Sequence, residues 1–132
     1  MPLAKTASGG EISRVILALK SVLVEKMQLP TIIFDEVDTG VSGDVANRMA
    51  RLMLDISRHT QVVTITHIAA VAAHGSRHFK VYKEDNLDTT NTYIKLLSPD
   101  ERERELATMI SGNPDDSSAI ETAHSLLNKT GL

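Results

Sequence analysis

Cysteine and tryptophan are absent from this sequence of 132 residues, and aromatic residues make up only 3% of it. Without cysteine the chain can form neither a disulfide nor a thiolate metal site, which fits a reducing compartment. Because aromatic side chains are so scarce, the core must be built from aliphatic residues and methionine. The net charge of −3 provides no overall attraction to nucleic acid or to an anionic membrane surface. No apolar run is long enough to span a bilayer.

The sequence also lacks the Gly-x-x-x-x-Gly-Lys-Ser/Thr loop that wraps the phosphates of a bound nucleotide. The chain therefore cannot hold the β-phosphate of a nucleotide by itself. Its 42% of apolar residues suffice for one domain-sized unit with a buried core. We expect a single domain over residues 1–132 that belongs to a larger protein, because a candidate functional loop already lies within the first dozen residues.

Apolar periodicity predicts an α/β fold: a mostly parallel sheet flanked by helices, with an antiparallel hairpin at the sheet's edge. Two short apolar strands, Thr31 to Phe34 and Gln61 to Thr66, are joined by a helix, which favours parallel pairing and burial of both strand faces. Alternating apolar and polar residues then indicate the hairpin, with its turn at 85–88. Helices are predicted at 8–23, 45–56, 68–74, 98–110 and 118–128. The apolar residues at helical spacing in the first helix are Ile12, Val15, Ile16, Leu19 and Leu23.

A Ser8-Gly9-Gly10-Glu11 loop stands at the start of the first predicted helix. Its two glycines allow the backbone to approach a ligand closely, and the helix start adds about half a positive charge, so the loop can bind an anion such as phosphate. The same four residues also form a Ser-x-x-Glu capping box, which helices often carry without any ligand. Taken alone, the loop fits either reading.

Two adjacent carboxylates, Asp35 and Glu36, directly follow the first strand, at the end where parallel sheets bind ligands. One carboxylate beside phosphates can hold a hard divalent cation, and its neighbour can orient or deprotonate an attacking water. A solvated strand end would carry acidic residues as well. Asp38 begins an Asp-Thr-Gly sequence that by itself is typical of a turn.

A histidine, His67, ends the second strand. Neighbouring strands of a parallel sheet lie about 5 Å apart, so His67 could reach a terminal phosphate or a water handled by Glu36. A histidine after a strand is also often structural. The other histidines show no convergent spacing, receive no role and offer no zinc site. They are His59, His74, His78 and His124.

Together, and in this order, the motifs resemble the C-terminal lobe of an ATP-binding-cassette ATPase over about residues 3–82. The segment 7–11 is similar to the signature loop of that family, 32–36 to its Walker B strand and 37–40 to its D-loop, while His67 resembles its switch histidine. Glu11 stands where transporters usually have Gln, and Val37-Asp38 stand where they usually have Pro-Thr. The chain is therefore more similar to the chromosome-maintenance and repair branch, the SMC-like ATPases.

The resemblance implies two ATPase heads that enclose two ATP molecules between them. The signature loop, with Ser8, Gly9, Gly10 and Glu11, would bind the ATP held by the partner head. Asp35 would support Mg²⁺ beside the phosphate loop of its own head. The implied cofactors are ATP and Mg²⁺.

The resemblance also implies roles for the residues that follow the two strands. Glu36 would be the general base, and His67 would sense the γ-phosphate, so both are the implied catalytic residues. Asp38 would take part in coupling the nucleotide to the partner head.

The implied partners are the protein's own N-terminal Walker A lobe, a second ATPase head in a homodimer, and DNA through the full-length protein, with no membrane partner. The implied function is ATP hydrolysis in DNA double-strand-break repair and recombination, in the bacterial cytoplasm at the nucleoid. We expect this chain alone to be inactive, because it lacks the phosphate loop. Two alternatives stay open. One is a nucleotide-binding domain of another SMC-like ATPase or of a transporter, and the other is a non-enzymatic interaction domain whose motifs are only caps and turns.

Overall fold

The computed structural model describes residues 9–129, and within residues 9–16 the only side chain it describes is that of Val15. The described chain forms two compact units, divided between His74 and Gly75. The elements of the first unit are α1 (Gly9–Met27), β1 (Thr31–Asp35), α2 (Gly43–Ile56), β2 (Gln61–Ile65) and α3 (Ala69–His74). Those of the second unit are β3 (Phe79–Asp85), β4 (Thr90–Leu96), α4 (Pro99–Ser111) and α5 (Ser117–Lys129).

Strands β1 and β2 of the first unit pair in parallel, in a register that places Thr31 opposite Gln61 and Asp35 opposite Ile65. Parallel neighbours need a crossover connection, which α2 provides. This helix begins after Ser42, whose side chain caps it. The predicted parallel pairing is confirmed.

The core of the first unit is almost entirely aliphatic, as the scarcity of aromatic residues predicts. Phe34 is its one aromatic member among the described residues and is fully buried. The buried cluster consists of Leu17, Val24, Ile32, Phe34, Val37, Ala46, Met49, Ala50, Met53 and Val71.

Helix α1 packs a different face from the one that its apolar spacing predicts. Leu17 and Val24 are buried, whereas Val15, Leu19 and Leu23 are exposed. Three of the five residues at helical spacing therefore lie outside the core of the described chain, and the side chains of the other two, Ile12 and Ile16, are not among those described. Because α1 carries apolar residues around much of its circumference, spacing could not select a face, and contact with the rest of the unit selects it.

The parallel sheet is covered on one face only within the described chain. Ile32 and Phe34 are buried, whereas Ile33, Val63 and Ile65 are each about half exposed. The sequence predicted burial of both faces, and this prediction was wrong for the described chain. Parallel sheets normally have both faces covered, so the open face is suited to further polypeptide.

The second unit contains the predicted hairpin. β3 and β4 pair antiparallel, with Phe79 opposite Leu96, and the turn is closed by a hydrogen bond from Asn86 N to Thr89 O of 2.7 Å. Among the described strands, the hairpin forms a two-stranded sheet of its own and does not join β1 and β2. The hairpin is confirmed, with its turn at 86–89, one residue later than predicted, and it forms a separate sheet instead of the predicted edge of the parallel sheet.

Helices α4 and α5 pack against each other in the second unit. The N-terminus of α4 carries the predicted capping box, in which Ser98 and Glu101 each bind the backbone N–H of the other. The helix ends at Gly112, which has the left-handed conformation typical of a C-terminal cap. The buried residues of these two helices are Leu106, Ala107, Ala119 and Ala123.

The predicted α/β class and the predicted order of elements are confirmed by the described chain. Between residues 9 and 129, no helix is both long enough and apolar enough to cross a membrane.

Candidate functional site

The carboxyl ends of β1 and β2 lie side by side because the strands are parallel and in register. The pairing continues one residue beyond β1, where Glu36 N donates a hydrogen bond to Ile65 O at 2.8 Å. The acidic pair of Asp35 and Glu36 therefore lies next to the segment that leads from β2 to His67. In a parallel sheet this end is where ligands bind.

A tight turn follows β1 and begins at Glu36. Glu36 has a φ of 52°, which is the left-handed region and uncommon for a residue other than glycine. Its carbonyl accepts hydrogen bonds from the backbone N–H of Thr39 at 3.3 Å and from the Thr39 hydroxyl at 2.9 Å. Both the backbone N–H and the backbone carbonyl of Glu36 are thus hydrogen-bonded, while its carboxylate remains exposed.

Glu36 and His67 are brought together at this strand end. Glu36 Oε1 lies 3.9 Å from His67 Nδ1, which is too far for a hydrogen bond. The side chains are 58% and 63% exposed, respectively. A phosphate oxygen or a water molecule that arrives from solvent can therefore contact both of them.

Asp38 is fully buried, in contrast to Asp35 and Glu36. Its Oδ2 accepts a hydrogen bond from the hydroxyl of Thr66, the residue before His67. Its Oδ1 has no hydrogen-bond partner among the described residues. Because a buried side chain cannot touch another protein directly, coupling between heads through Asp38 would have to act through its loop, and this role stays a prediction.

The predicted signature loop is only partly described. Ser8 lies outside the described residues. Gly9, Gly10 and Glu11 form the first described turn of α1, and the side chain of Glu11 is outside the described part of the structure. The contacts predicted for these four residues with a nucleotide therefore remain predictions.

The predicted metal ligand is Asp35, the last residue of β1. In the described range, no group of three or more histidine, cysteine, aspartate or glutamate side chains could hold a metal ion. Mg²⁺ commonly takes only one or two protein carboxylates and receives its other ligands from phosphates and water. The exposed carboxylates of Asp35 and Glu36 fit a phosphate-bound Mg²⁺ and do not form a metal cage by themselves.

Among the other histidines, for which the sequence predicts no role, three have interactions of their own. His74 Nδ1 lies 2.7 Å from Ala70 O, and His124 Nδ1 lies 3.5 Å from the Glu103 carboxylate. Burial, and secondarily the charge of Arg102, lowers the pKa of His78. These contacts give none of the three a part in the strand-end site.

Sequence reasoning missed two hydroxyl residues at this site, Thr39 and Thr66. The Thr39 hydroxyl donates a hydrogen bond to the carbonyl of Glu36 within the turn, and the Thr66 hydroxyl donates one to Asp38. Their signal in the sequence is weak: each is a threonine within three residues of a predicted site residue. Only the structure shows what the two hydroxyls bind.

Proteins named DNA repair protein RecN match this chain over nearly its whole length. It is 44% identical over 126 residues to that of Treponema pallidum, 44% over 123 residues to that of Rickettsia conorii and 42% over 126 residues to that of Streptomyces coelicolor. These matches cover 96%, 93% and 96% of the chain. This chain is homologous to a part of RecN. It spans about a fifth of the length of these RecN relatives, 22%, 23% and 22% respectively. No family model matches the chain.

A solved structure has a similar fold. A chain from a study of ATP-driven dimerization and DNA-stimulated activation of SMC ATPases superposes with a TM-score of 0.68. The two sequences are 21% identical, and the match covers 81% of this chain and 64% of the other. The α/β fold class is thereby confirmed, and the RecN relatives confirm the predicted resemblance to DNA repair proteins.

Proposed function

We propose that this chain is the C-terminal lobe of the ATPase head of a RecN-like DNA repair protein. It would contribute half of a composite ATP site, and the lobe would include both compact units. The observation that carries the proposal is the convergence of Asp35, Glu36 and His67 at the carboxyl ends of two parallel strands. Homology to RecN and the fold of an SMC ATPase support it.

The acidic pair would divide the chemistry of hydrolysis between its two members. Bound Mg²⁺ would neutralise charge on the ATP phosphates, and Asp35 would hold it there, directly or through water. Glu36 would act as the general base that takes a proton from the attacking water. The exposure of its carboxylate and its fixed backbone are both suited to this role.

His67 would contact the γ-phosphate and sense its presence. Its ring lies close enough to Glu36 for one bound group to touch both side chains, and it is exposed to an arriving ligand. The signature loop, with Ser8, Gly9, Gly10 and Glu11, would bind the γ-phosphate of ATP on a second head. The N-terminal end of helix α1 would favour that negative charge.

The partner that this lobe most directly needs is its own N-terminal Walker A lobe. The half-exposed apolar side chains of Ile33, Val63 and Ile65 form a sheet face that a parallel sheet normally covers. A second head would complete the dimer, and DNA would be engaged by the full-length protein, in the cytoplasm at the nucleoid. Closure of the heads by ATP and their opening after hydrolysis would be a ligand-driven population shift.

The substitution Glu36→Gln in the full-length protein tests the proposed function. The amide keeps the size of the side chain but cannot take a proton, so ATP hydrolysis should slow by about 10²–10⁴-fold. ATP binding should persist, and closed head dimers should accumulate. Steady-state phosphate release would measure the hydrolysis rate. The molecular mass of the protein in solution, with and without ATP, would show whether closed dimers accumulate.

Glu25→Gln is the matched control, since it makes the same chemical change at an exposed position of α1. Its hydrolysis rate should equal that of the unaltered protein. If Glu36→Gln also hydrolyses ATP at the unaltered rate, Glu36 is not the base.

A further inference from the structure

Thr66 uses its one hydroxyl group twice. The hydroxyl donates a hydrogen bond to Asp38 Oδ2 and accepts one from the backbone N–H of Ile68 at 3.0 Å. His67 lies between Thr66 and Ile68 in the chain, so both of its sequence neighbours take part in these two hydrogen bonds. A hydroxyl is well suited to this arrangement because it is donor and acceptor at once.

The other end of this link belongs to the loop that carries Glu36. Asp38 lies two residues after Glu36 and is fully buried. With its Oδ1 unpartnered among the described residues, the carboxylate relies on Thr66 for its side-chain hydrogen bond within that range. An unpaired carboxylate is costly to bury, so loss of the Thr66 hydroxyl should force the loop to rearrange.

Glu36 and His67 themselves are not joined by a hydrogen bond, since 3.9 Å separates their nearest polar atoms. Their side chains are also exposed, so packing does little to fix them. The separation of the two therefore depends on the backbones that carry them. The hydrogen bond between Thr66 and Asp38 links the segment that leads to His67 with the loop that carries Glu36.

We propose that Thr66 is a positioning residue, which fixes His67 relative to Glu36 by binding Asp38 and the N–H of Ile68. This role rests on the proposed ATPase function. Misplacement of reacting groups by about 1 Å can slow a reaction about 10²-fold, so loss of the link should affect turnover more than ATP binding.

The test compares Thr66→Val and Thr66→Ser in the full-length protein. Valine keeps the shape of threonine without its hydroxyl, and kcat for ATP hydrolysis should fall at least about tenfold with KM changed by less than about threefold. Serine keeps the hydroxyl and should restore kcat to within about threefold of the unaltered protein. Thr64→Val is the matched control, two residues earlier on β2 and also half-buried. It should leave kcat unchanged.

Hydrogen exchange tests the positioning role independently of ATP turnover. Hydrogen exchange at the amide of Ile68 should be faster in Thr66→Val than in the unaltered protein and in Thr66→Ser. If Thr66→Val does not fold, Thr66→Ala carries the same comparison, because it also lacks the hydroxyl.

The outcomes separate this role from the proposed function. An unaltered full-length protein without ATP turnover would refute the ATPase function itself. An active unaltered protein together with an equally active, folded Thr66→Val or Thr66→Ala would refute the role of Thr66 alone. An equal fall in kcat for Thr64→Val, or no recovery in Thr66→Ser, would refute the positioning role as well, since the hydroxyl would not be the cause.

Discussion

Neighbouring residues of β1 have opposite environments. Phe34 is fully buried in the core of the first unit, whereas Ile33 is 54% exposed on the open face of the sheet. Successive side chains of a strand point to opposite faces, so this contrast follows from the strand geometry and from the coverage of one face only. The free energy that each side chain contributes to folding should differ accordingly.

We expect Phe34→Ala to lower the free energy of unfolding of this chain by about 3–5 kcal/mol, because it leaves a cavity in the core. Ile33→Ala is the matched control on the same strand and should cost less than about 1.5 kcal/mol, since about half of its surface is already in water. Denaturant unfolding followed by circular dichroism would measure both. Equal losses for the two variants would contradict the burial pattern.

At the scale of single elements, α4 shows how local contacts define a helix start. Ser98 and Glu101 form the capping box, and the Glu101 carboxylate also pairs with Lys95 of β4. The hydrogen bond from Lys95, followed by the bond from the Ser98 backbone, lowers the pKa of Glu101 to about 2. The hairpin and the helix after it are thus joined by one charged group.

This pKa predicts an acid-sensitive contribution to stability. Because the folded pKa of Glu101 lies below its ordinary value of 4.5, its contribution is present above about pH 4.5 and is lost as the pH falls toward about 2. Glu101→Gln can keep the capping box but cannot titrate, so the melting temperature should fall less steeply over that pH range than in the unaltered chain. Glu121→Gln, exposed on α5, controls for the loss of one negative charge. Identical pH profiles for Glu101→Gln and the unaltered chain would contradict the prediction.

At the scale of the whole molecule, the proposed composite ATP site requires parts that this sequence does not contain. The chain spans about a fifth of its RecN relatives, has no phosphate loop in its sequence, and leaves one face of its parallel sheet half exposed. The proposed activity therefore belongs to the full-length protein in its dimeric state.

The purified chain alone should show no Mg²⁺-dependent ATP hydrolysis and at most weak nucleotide binding, because most phosphate contacts in such ATPases come from the phosphate loop. Phosphate release and a nucleotide titration would check this, with the full-length protein as the positive control. Turnover that persists through purification and is abolished by Glu36→Gln would contradict the prediction.

Mixing two inactive full-length variants tests whether the ATP sites form between heads. One variant carries Ser8→Arg, which would block docking of the partner's γ-phosphate, and the other is altered in its own phosphate loop. A mixed dimer has one doubly damaged site and one intact site, so mixing should restore part of the ATPase activity. Ser8 is also the predicted N-cap of the first helix, and loss of such a cap costs about 1 kcal/mol, so folding of each variant must be verified. Continued inactivity of folded, mixed dimers would contradict sites shared between heads.

The sequence by itself determined the features that depend on local interactions. The order of elements, the α4 capping box of Ser98 and Glu101, and the hairpin turn, to within one residue of its place at 86–89, follow from periodicity and turn chemistry, which act within a few residues. The position of Asp35, Glu36 and His67 at strand ends was predictable for the same reason. The meeting of the two strand ends could be predicted as well, from the rule that apolar strands joined by a helix pair in parallel.

Only the tertiary structure decided which surfaces and hydroxyls meet across the chain. Leu17 and Val24, and not Leu19 or Leu23, enter the core, because the packing of α1 against the rest of its unit selects one of several apolar faces. The burial of Asp38 and its bond to Thr66 join residues 28 positions apart, which no local pattern encodes. Such contacts arise from how strands and loops pack in space, so a single sequence shows the residues but not their partners.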